Sequence, residues 1–360
     1  MDKVTLKTIA DRVGVSRMTV SNAFARPDQL SDAMRERVLA VADELGYTGP
    51  DPAARALARG ATGAVGVLLT DSLGIAFADV FATAFLAAVA DALADHGLAL
   101  TLLTPPRTAG VIPSRDVALD GAIVYACGPL SEDVGWLKRR RLPAVFVDQQ
   151  PVAGGAHANV DDHGGARAAA QHLLDLGHRR IAILTVGSGV LTGVVADPWG
   201  QTITYSAEQR LAGWFEALSA AGVVPTVAVE PFRPDQAAYD GARQLLELTD
   251  RPTALLCYSD AFAASAMRAA AELGLRVPDD VSVVGYDDSA VAVAVRPTLT
   301  TVRQDVNAKA RAAVHALTSL IAAGPGVSSG NAEHVLLPTQ LIVRDSTAPP
   351  KAPRVARRNP

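Results

Sequence analysis

The stretch Thr5-Leu6-Lys7-Thr8-Ile9-Ala10-Asp11-Arg12-Val13-Gly14-Val15-Ser16-Arg17-Met18-Thr19-Val20-Ser21-Asn22 reads as two short helices joined by a tight turn. Thr5 can cap a helix from Leu6 to Val13, with Leu6, Ile9, Ala10 and Val13 on one face. Gly14 stops it, and Ser16 caps a second helix from Arg17 to about Ala25. Ser31 caps a third, whose apolar stripe is Met34, Val38, Val41, Ala42 and Leu45, and Gly46 ends it. Three helices with so brief a first turn bury one small core, the pattern of a helix-turn-helix headpiece over residues 1–50.

The second helix of such a unit enters the DNA major groove. Val15 and Val20 point inward here, which turns Arg17, Met18, Ser21 and Asn22 outward. Arginine can read guanine, asparagine can read adenine, and methionine can pack on a thymine methyl. Thr5, Ser16, Thr19 and Ser31 stand at helix starts, where hydroxyls and backbone N–H groups hold phosphates. Charge alone does not decide for DNA: residues 1–60 carry nine Lys/Arg against eight Asp/Glu, and the whole chain has a net charge of -4.

From Ala61 onward the pattern changes to apolar strands alternating with amphipathic helices. Strands are expected at 64–69, 98–103, 121–126, 144–148, 181–186, 227–230, 254–259 and 281–286. Helices are expected at 77–96, 163–176, 210–221 and 261–273. Continuous apolar strands with helical crossovers indicate parallel sheets covered on both faces, and so many units suit two sheets. The Pro-rich end, 347–360, carries Lys351, Arg354, Arg357 and Arg358 and is expected to be a disordered basic tail. His172 and His178, near Arg179 and Arg180, read as a solvated helix end.

The composition, 49% apolar and 19% charged over 360 residues, is that of a globular chain of two or three domains. No signal peptide opens it, and no apolar run reaches the length of about 18 residues that a membrane span needs. A cytoplasmic protein is expected, with Cys127 and Cys257 as reduced core thiols and no membrane partner. Phosphate-loop, dinucleotide, nucleophile-elbow and metal-ligand spacings are all missing, so neither catalysis nor a cofactor or metal is expected. The competing non-enzymatic reading is a solute-binding protein without a regulatory role; the headpiece and the missing signal peptide oppose it.

Thr5–Ala10, Gly14–Asn22, Arg35-Glu36-Arg37-Val38, Glu44-Leu45-Gly46-Tyr47 and Pro52-Ala53-Ala54-Arg55-Ala56-Leu57-Ala58-Arg59-Gly60 together resemble the lactose/galactose-repressor (LacI/GalR) family. The resemblance extends to about Asp345. It implies a three-helix headpiece (1–50), a hinge helix (51–60) and a two-lobed α/β effector domain like periplasmic binding proteins (61–346). The N-lobe would take about 61–159 and 304–336, and the C-lobe about 160–303 and 337–346.

It also implies a homodimer on a palindromic double-stranded DNA operator, controlled by a small-molecule effector. Leu57 occupies the position of the leucine that relatives wedge into the minor groove, flanked by Ala54, Arg55 and Ala58; Leu6 and Tyr47 join the headpiece contacts. Asn22 stands where many relatives have arginine, so the operator sequence does not carry over.

In the effector domain, strand-end residues Asp71, Asp148, Ser259 and Asp287 are candidate ligand contacts. Gln209-Arg210-Leu211-Ala212-Gly213-Trp214 resembles the family's Arg-x-x-Gly-aromatic segment, making Arg210 the leading contact, with Ser206 just before it. A salt bridge inside the cleft is Arg210's alternative role. Ser259 replaces a usual asparagine, Val284-Gly285-Tyr286-Asp287-Asp288 matches a family run, and Gln304 closes the crossover segment from Leu299. Phe77 is expected as a stacking wall, and Trp199 either lids the cleft or packs locally. Aspartates beside an arginine suit a sugar or nucleoside-like ligand.

Overall fold

A computed structural model describes residues 4–49, 51–69, 73–104, 112–125, 132–151, 155–187, 191–201, 204–232, 236–324 and 334–351. The chain forms two compact units, Met1–Gly63 and Ala64–Pro360. Asp71 and Cys127 lie outside the described residues.

The first unit holds α1 (Leu6–Val13), α2 (Arg17–Ala25), α3 (Asp32–Glu44) and α4 (Pro52–Arg59). Thr5 and Thr8 cap the start of α1 reciprocally, and Gly14 ends it at φ 78°, a left-handed turn suited to glycine. Ser16 then caps α2 by accepting from the Thr19 N–H at 3.0 Å. Ile9, Ala10, Val13, Val20, Ala23, Val38 and Ala42 fill the small core, and the Phe24 and Tyr47 rings meet edge to face on its flank. Arg37 ties α3 to α1 by donating to the Val13 carbonyl at 2.9 Å.

The second unit begins with β1 (Ala64–Leu69), α5 (Leu73–Ala78), α6 (Val80–Ala94), β2 (Ala99–Leu103) and α7 (Pro113–Asp116). There follow β3 (Gly121–Tyr125), α8 (Glu132–Arg139), β4 (Ala144–Val147), β5 (Ala156–Val160) and α9 (Asp162–Asp175). The chain then runs through β6 (Ile181–Gly187), β7 (Gly193–Val195), α10 (Tyr205–Ala220), β8 (Thr226–Pro231), α11 (Ala237–Leu246), β9 (Ala254–Cys257) and α12 (Asp260–Glu272). It closes with β10 (Ser282–Asp287), α13 (Ala290–Ala294), β11 (Thr300–Gln304), α14 (Val306–Ala323), β12 (His334–Leu337) and β13 (Thr339–Ile342).

Two sheets result. The N-lobe sheet has order β12-β5-β4-β3-β1-β2, with every described pairing parallel. The C-lobe sheet has order β13-β11-β10-β9-β6-β8-β7, parallel except at its two edges. The chain changes lobe after β5, after β11 and after β12, so each sheet is completed by strands from distant sequence. The central parallel strands are buried along most of their length, as sheets covered by helices on both faces require.

Three expectations need correction. The helix expected over 77–96 is two helices broken at Asp79, whose carboxylate caps α6 by accepting from the Phe81 N–H at 2.9 Å. The tail expected to be disordered from 347 is packed through Lys351, because its polar groups close onto the C-lobe sheet. Ser346 donates to the Val283 carbonyl at 2.6 Å and Ala348 N–H reaches Ser282 Oγ at 3.1 Å. Residues 352–360 lie outside the described residues. Nor is His178 solvated: it is buried between Thr253 Oγ1 at 2.8 Å and the Ala348 carbonyl at 2.9 Å, while His172 reaches Thr347. Cys257 is a free, buried core thiol.

Candidate DNA-binding face and effector cleft

On the headpiece, Arg17 and Met18 stand exposed at the start of α2, Met18 at 69%, and Ser21 and Asn22 follow half-buried one turn on. Asn22 Nδ2 donates to Gln29 Oε1 at 3.1 Å, which orients the amide while leaving its second N–H and its oxygen available. The hydroxyls of Thr5, Ser16 and Ser31 are all engaged as helix caps. Thr19 pairs with the Ser16 hydroxyl at 2.9 Å, so it stands inside the first turn rather than at its mouth. Tyr47 is half-buried against Phe24, which gives it a packing role as well. Leu6 also packs partly against the core.

Helix α4, the expected hinge helix, is capped at both ends, by Asp51 accepting from the Ala53 N–H and by Gly60 in the left-handed region. Ala54 and Arg55 are exposed, and the side chain of Ala58 lies outside the described residues. Leu57 is 87% exposed. A leucine bare to that degree on so short a helix contributes nothing to its own unit's core and suits insertion elsewhere.

In the second unit a cavity of about 60 Å³ lies at the strand ends of the two lobes. It brings together Asp148, Ser206, Arg210, Ser259, Asp287 and Gln304 from the expected set. Asp79, Phe81, Tyr125, Thr204, Phe232 and Tyr258 also line it, and sequence reasoning missed all of these. Phe77 is not among the lining residues; it is 55% exposed on α5. The break at Asp79 resets the helical phase, so Phe81 takes the wall position. Trp199 packs on Phe215 at 5.2 Å and does not line the cavity.

Arg210 is 4% exposed and engaged through Nε and Nη1. Its Nε donates to Asp162 Oδ1 at 2.7 Å, its Nη1 to the Tyr258 carbonyl at 2.6 Å, and Asp287 lies 3.6 Å away. The guanidinium also lies 3.6 Å from the Tyr286 ring centroid. Burial disfavours its charge, but Asp162 and Asp287 outweigh burial and raise its pKa well above the ordinary value. The salt bridge anticipated as its alternative role is therefore made, at the cavity wall. Gly213 permits it: a Cβ there would overlap the His163 carbonyl oxygen, so only glycine lets α10 dock on α9 closely enough to bring Arg210 to Asp162.

A second chain of contacts meets the first. Lys309, on α14 and 1% exposed, donates to both Asp148 oxygens at 2.8 Å and to Gln304 Oε1 at 2.7 Å. Gln304 Nε2 in turn donates to Asp287 Oδ1 at 2.7 Å. Burial pushes the Asp287 carboxyl well above the usual carboxylate range, Arg210 opposing. Burial likewise raises Asp79, against the Phe81 and Ala82 N–H groups. Asp148 and Asp287 both hold positive φ, 54° and 111°, a conformation costing a non-glycine residue about 1–3 kcal/mol that clusters at ligand sites. Ser259 caps α12 through the Phe262 N–H, and Ser206 Oγ lies 3.3 Å from the Tyr258 hydroxyl. No group of His, Cys, Asp and Glu suited to a metal occurs among the described residues.

Comparison with known proteins agrees with this arrangement. The model of lacI-family bacterial regulatory proteins matches residues 5–49, and that of the periplasmic binding protein-like domain matches residues 170–347. A helix-turn-helix transcriptional regulator of Mycolicibacterium smegmatis is 36% identical, covering 97% of each chain. The Lac repressor bound to ONPG in its repressed state superposes with a TM-score of 0.76 at 30% identity, over 96% of this chain and 100% of that one. The regulator CelR in complex with cellobiose does so at 0.69 and 28%, over 96% and 100%. Among the described residues no helix is long and apolar enough to cross a membrane. With its helix-turn-helix headpiece and two-lobed periplasmic-binding-like domain, the chain belongs to the lacI family of DNA-binding transcriptional regulators, not to the enzymes.

Proposed function

We propose that this protein is a homodimeric repressor of a palindromic operator, released or engaged by an uncharged, hydroxyl-rich small molecule such as a sugar or nucleoside. Leu57 carries the operator half of this reading. An 87% exposed leucine on a doubly capped helix is a wedge awaiting a groove, and inserting it would exchange unstacking energy for added protein–DNA contact. Two such helices, one from each subunit, would sit between half-sites about one DNA turn apart.

Charge accounting supports the effector half. Among the described residues, the two cations at the cleft are both taken up by protein carboxylates, Arg210 by Asp162 and Asp287 and Lys309 by Asp148. Asp79 adds a further acceptor at the wall. A ligand therefore meets carboxylate and carbonyl acceptors that want hydroxyl donors, flanked by the Phe81, Phe232 and Tyr258 rings. The relatives that hold cellobiose and ONPG point the same way. Ligand binding would bias the lobe arrangement and hence the hinge helices, a coupling typically of about 1–3 kcal/mol.

The test is selection of bound sequences from randomised duplex DNA by the purified full-length protein at one stated salt concentration. An enriched palindrome is expected. Folded protein that enriches nothing, with and without added cell metabolites, defeats the proposal.

A further inference from the structure

The N-lobe carries a basic cluster that neither the headpiece nor the cleft uses: Lys138, Arg139, Arg140 and Arg141 at the end of α8, beside Arg115 of α7, which is paired with Asp116 at 2.7 Å. Lys138, Arg139 and Arg141 are exposed, and among the described residues no ion pair engages any of these three. This stands out in a chain whose net charge is -4. The cluster is also preorganised. The Trp136 ring holds the Arg139 guanidinium 4.6 Å and that of Arg115 5.6 Å from its centroid, while Arg140 is fixed by donating to the Ser114 carbonyl at 2.7 Å. Ordering arginines in advance lowers the entropy lost when they bind an anion.

Its place in the fold says which anion. Val65 of β1 pairs with Gly121, and Ala122 pairs with Ala144 of β4. Residues 138–141, just before β4, therefore lie at the end of the sheet where the chain enters β1 at Ala64, two strand spacings or about 10 Å across. The cluster thus shares an end of the N-lobe sheet with the point where the chain arriving from the DNA-binding headpiece enters it.

We propose that this cluster is a second, sequence-independent DNA contact, in which Lys138, Arg139 and Arg141 bind backbone phosphates near the hinge site. The inference rests on the DNA-binding reading of the headpiece. It assigns the effector domain a direct share of operator affinity, which makes that share responsive to any lobe movement a ligand causes.

The experiment compares full-length protein with the Lys138→Gln/Arg139→Gln/Arg141→Gln variant on the selected operator and on a scrambled duplex, over a series of salt concentrations. The control is Arg180→Gln/Arg251→Gln/Lys351→Gln, which removes equal charge from exposed positions of the C-lobe. Each phosphate contact contributes about 0.9 to the slope of log affinity against log salt, so the cluster variant should lose up to about 3 for each subunit engaged, or about 5 for a dimer. It should weaken on both duplexes by the same factor, leaving the specificity ratio intact. The control should keep the wild-type slope. An unchanged slope in the folded cluster variant, or an equal loss in the control, overturns the proposal while the headpiece reading stands. A protein that selects no sequence at all brings down both together.

Discussion

Lys309 Nζ sits 2.8 Å from both carboxylate oxygens of Asp148, enclosed at 1% exposure beneath the cleft. Through Gln304 the pair continues to Asp287 and then to Arg210 and Asp162, so one polar chain joins the strand ends of the two lobes. Buried ion pairs are costly to half-remove, because the remaining charge has neither water nor partner. Lys309→Met should lower unfolding stability by about 3–5 kcal/mol, read from urea denaturation. Lys309→Met with Asp148→Leu should recover most of that loss. A double variant no better than the single one would show that the pair is not the source.

Leu57→Ala addresses the hinge. With 87% of the side chain bare, truncation removes no core packing, so the melting temperature should not move. Operator affinity should fall by about tenfold or more, equivalent to about 1.4 kcal/mol per decade. Equal affinities of the variant and the wild type, measured by fluorescence anisotropy on the selected operator, would remove Leu57 from the interface.

The cleft's charge balance predicts ligand class. Neutral mono- and disaccharides and nucleosides should include compounds that raise the melting temperature, a ligand at 100 times its Kd adding about 2.7 kcal/mol. Their phosphate esters should not, because Arg210 and Lys309 are already neutralised by Asp162, Asp287 and Asp148. Stabilisation by the esters alone would mean that one of these pairs opens to receive an anion.

The headpiece was readable because its signals are local: Thr5, Gly14, Ser16 and Ser31 mark helix ends directly, and the apolar stripes fix which faces turn out. Strand ends likewise gave Asp148, Ser259 and Asp287. What escaped depends on phase and on long-range pairing. Phe77 and Phe81 are one turn apart, and only the Asp79 cap, two residues before Phe81, reveals which ring faces the cavity. Lys309 reads as an ordinary helix cation until the fold returns α14 beneath Asp148, 161 residues away in sequence. The edge strands β12 and β13 are only four residues each, too short a run to stand out as strands beside the longer apolar ones. The packed segment 346–351 hides behind a Pro-rich composition because Ser346, Thr347 and Ala348 order it through hydrogen bonds rather than apolar burial.

Glu230 offers a pH test independent of ligand and DNA. It is 4% exposed on β8 and accepts the Gly193 N–H at 3.1 Å, which anchors β7. Burial pushes its carboxyl from 4.5 up to about 6, the Gly193 N–H opposing. Between those values the folded chain binds a proton that the unfolded chain has released. This contribution to stability is therefore fully present below about pH 4.5 and is lost as pH rises through about 6. Glu230→Gln keeps an acceptor for Gly193 and removes the titration. The variant should match wild type at pH 4.5 and exceed it at pH 7 by about 1 kcal/mol and no more than about 2, measured by urea unfolding at both. A variant less stable than wild type at pH 7 would mean that the ionised carboxylate is stabilised in the fold by a partner stronger than the Gly193 amide.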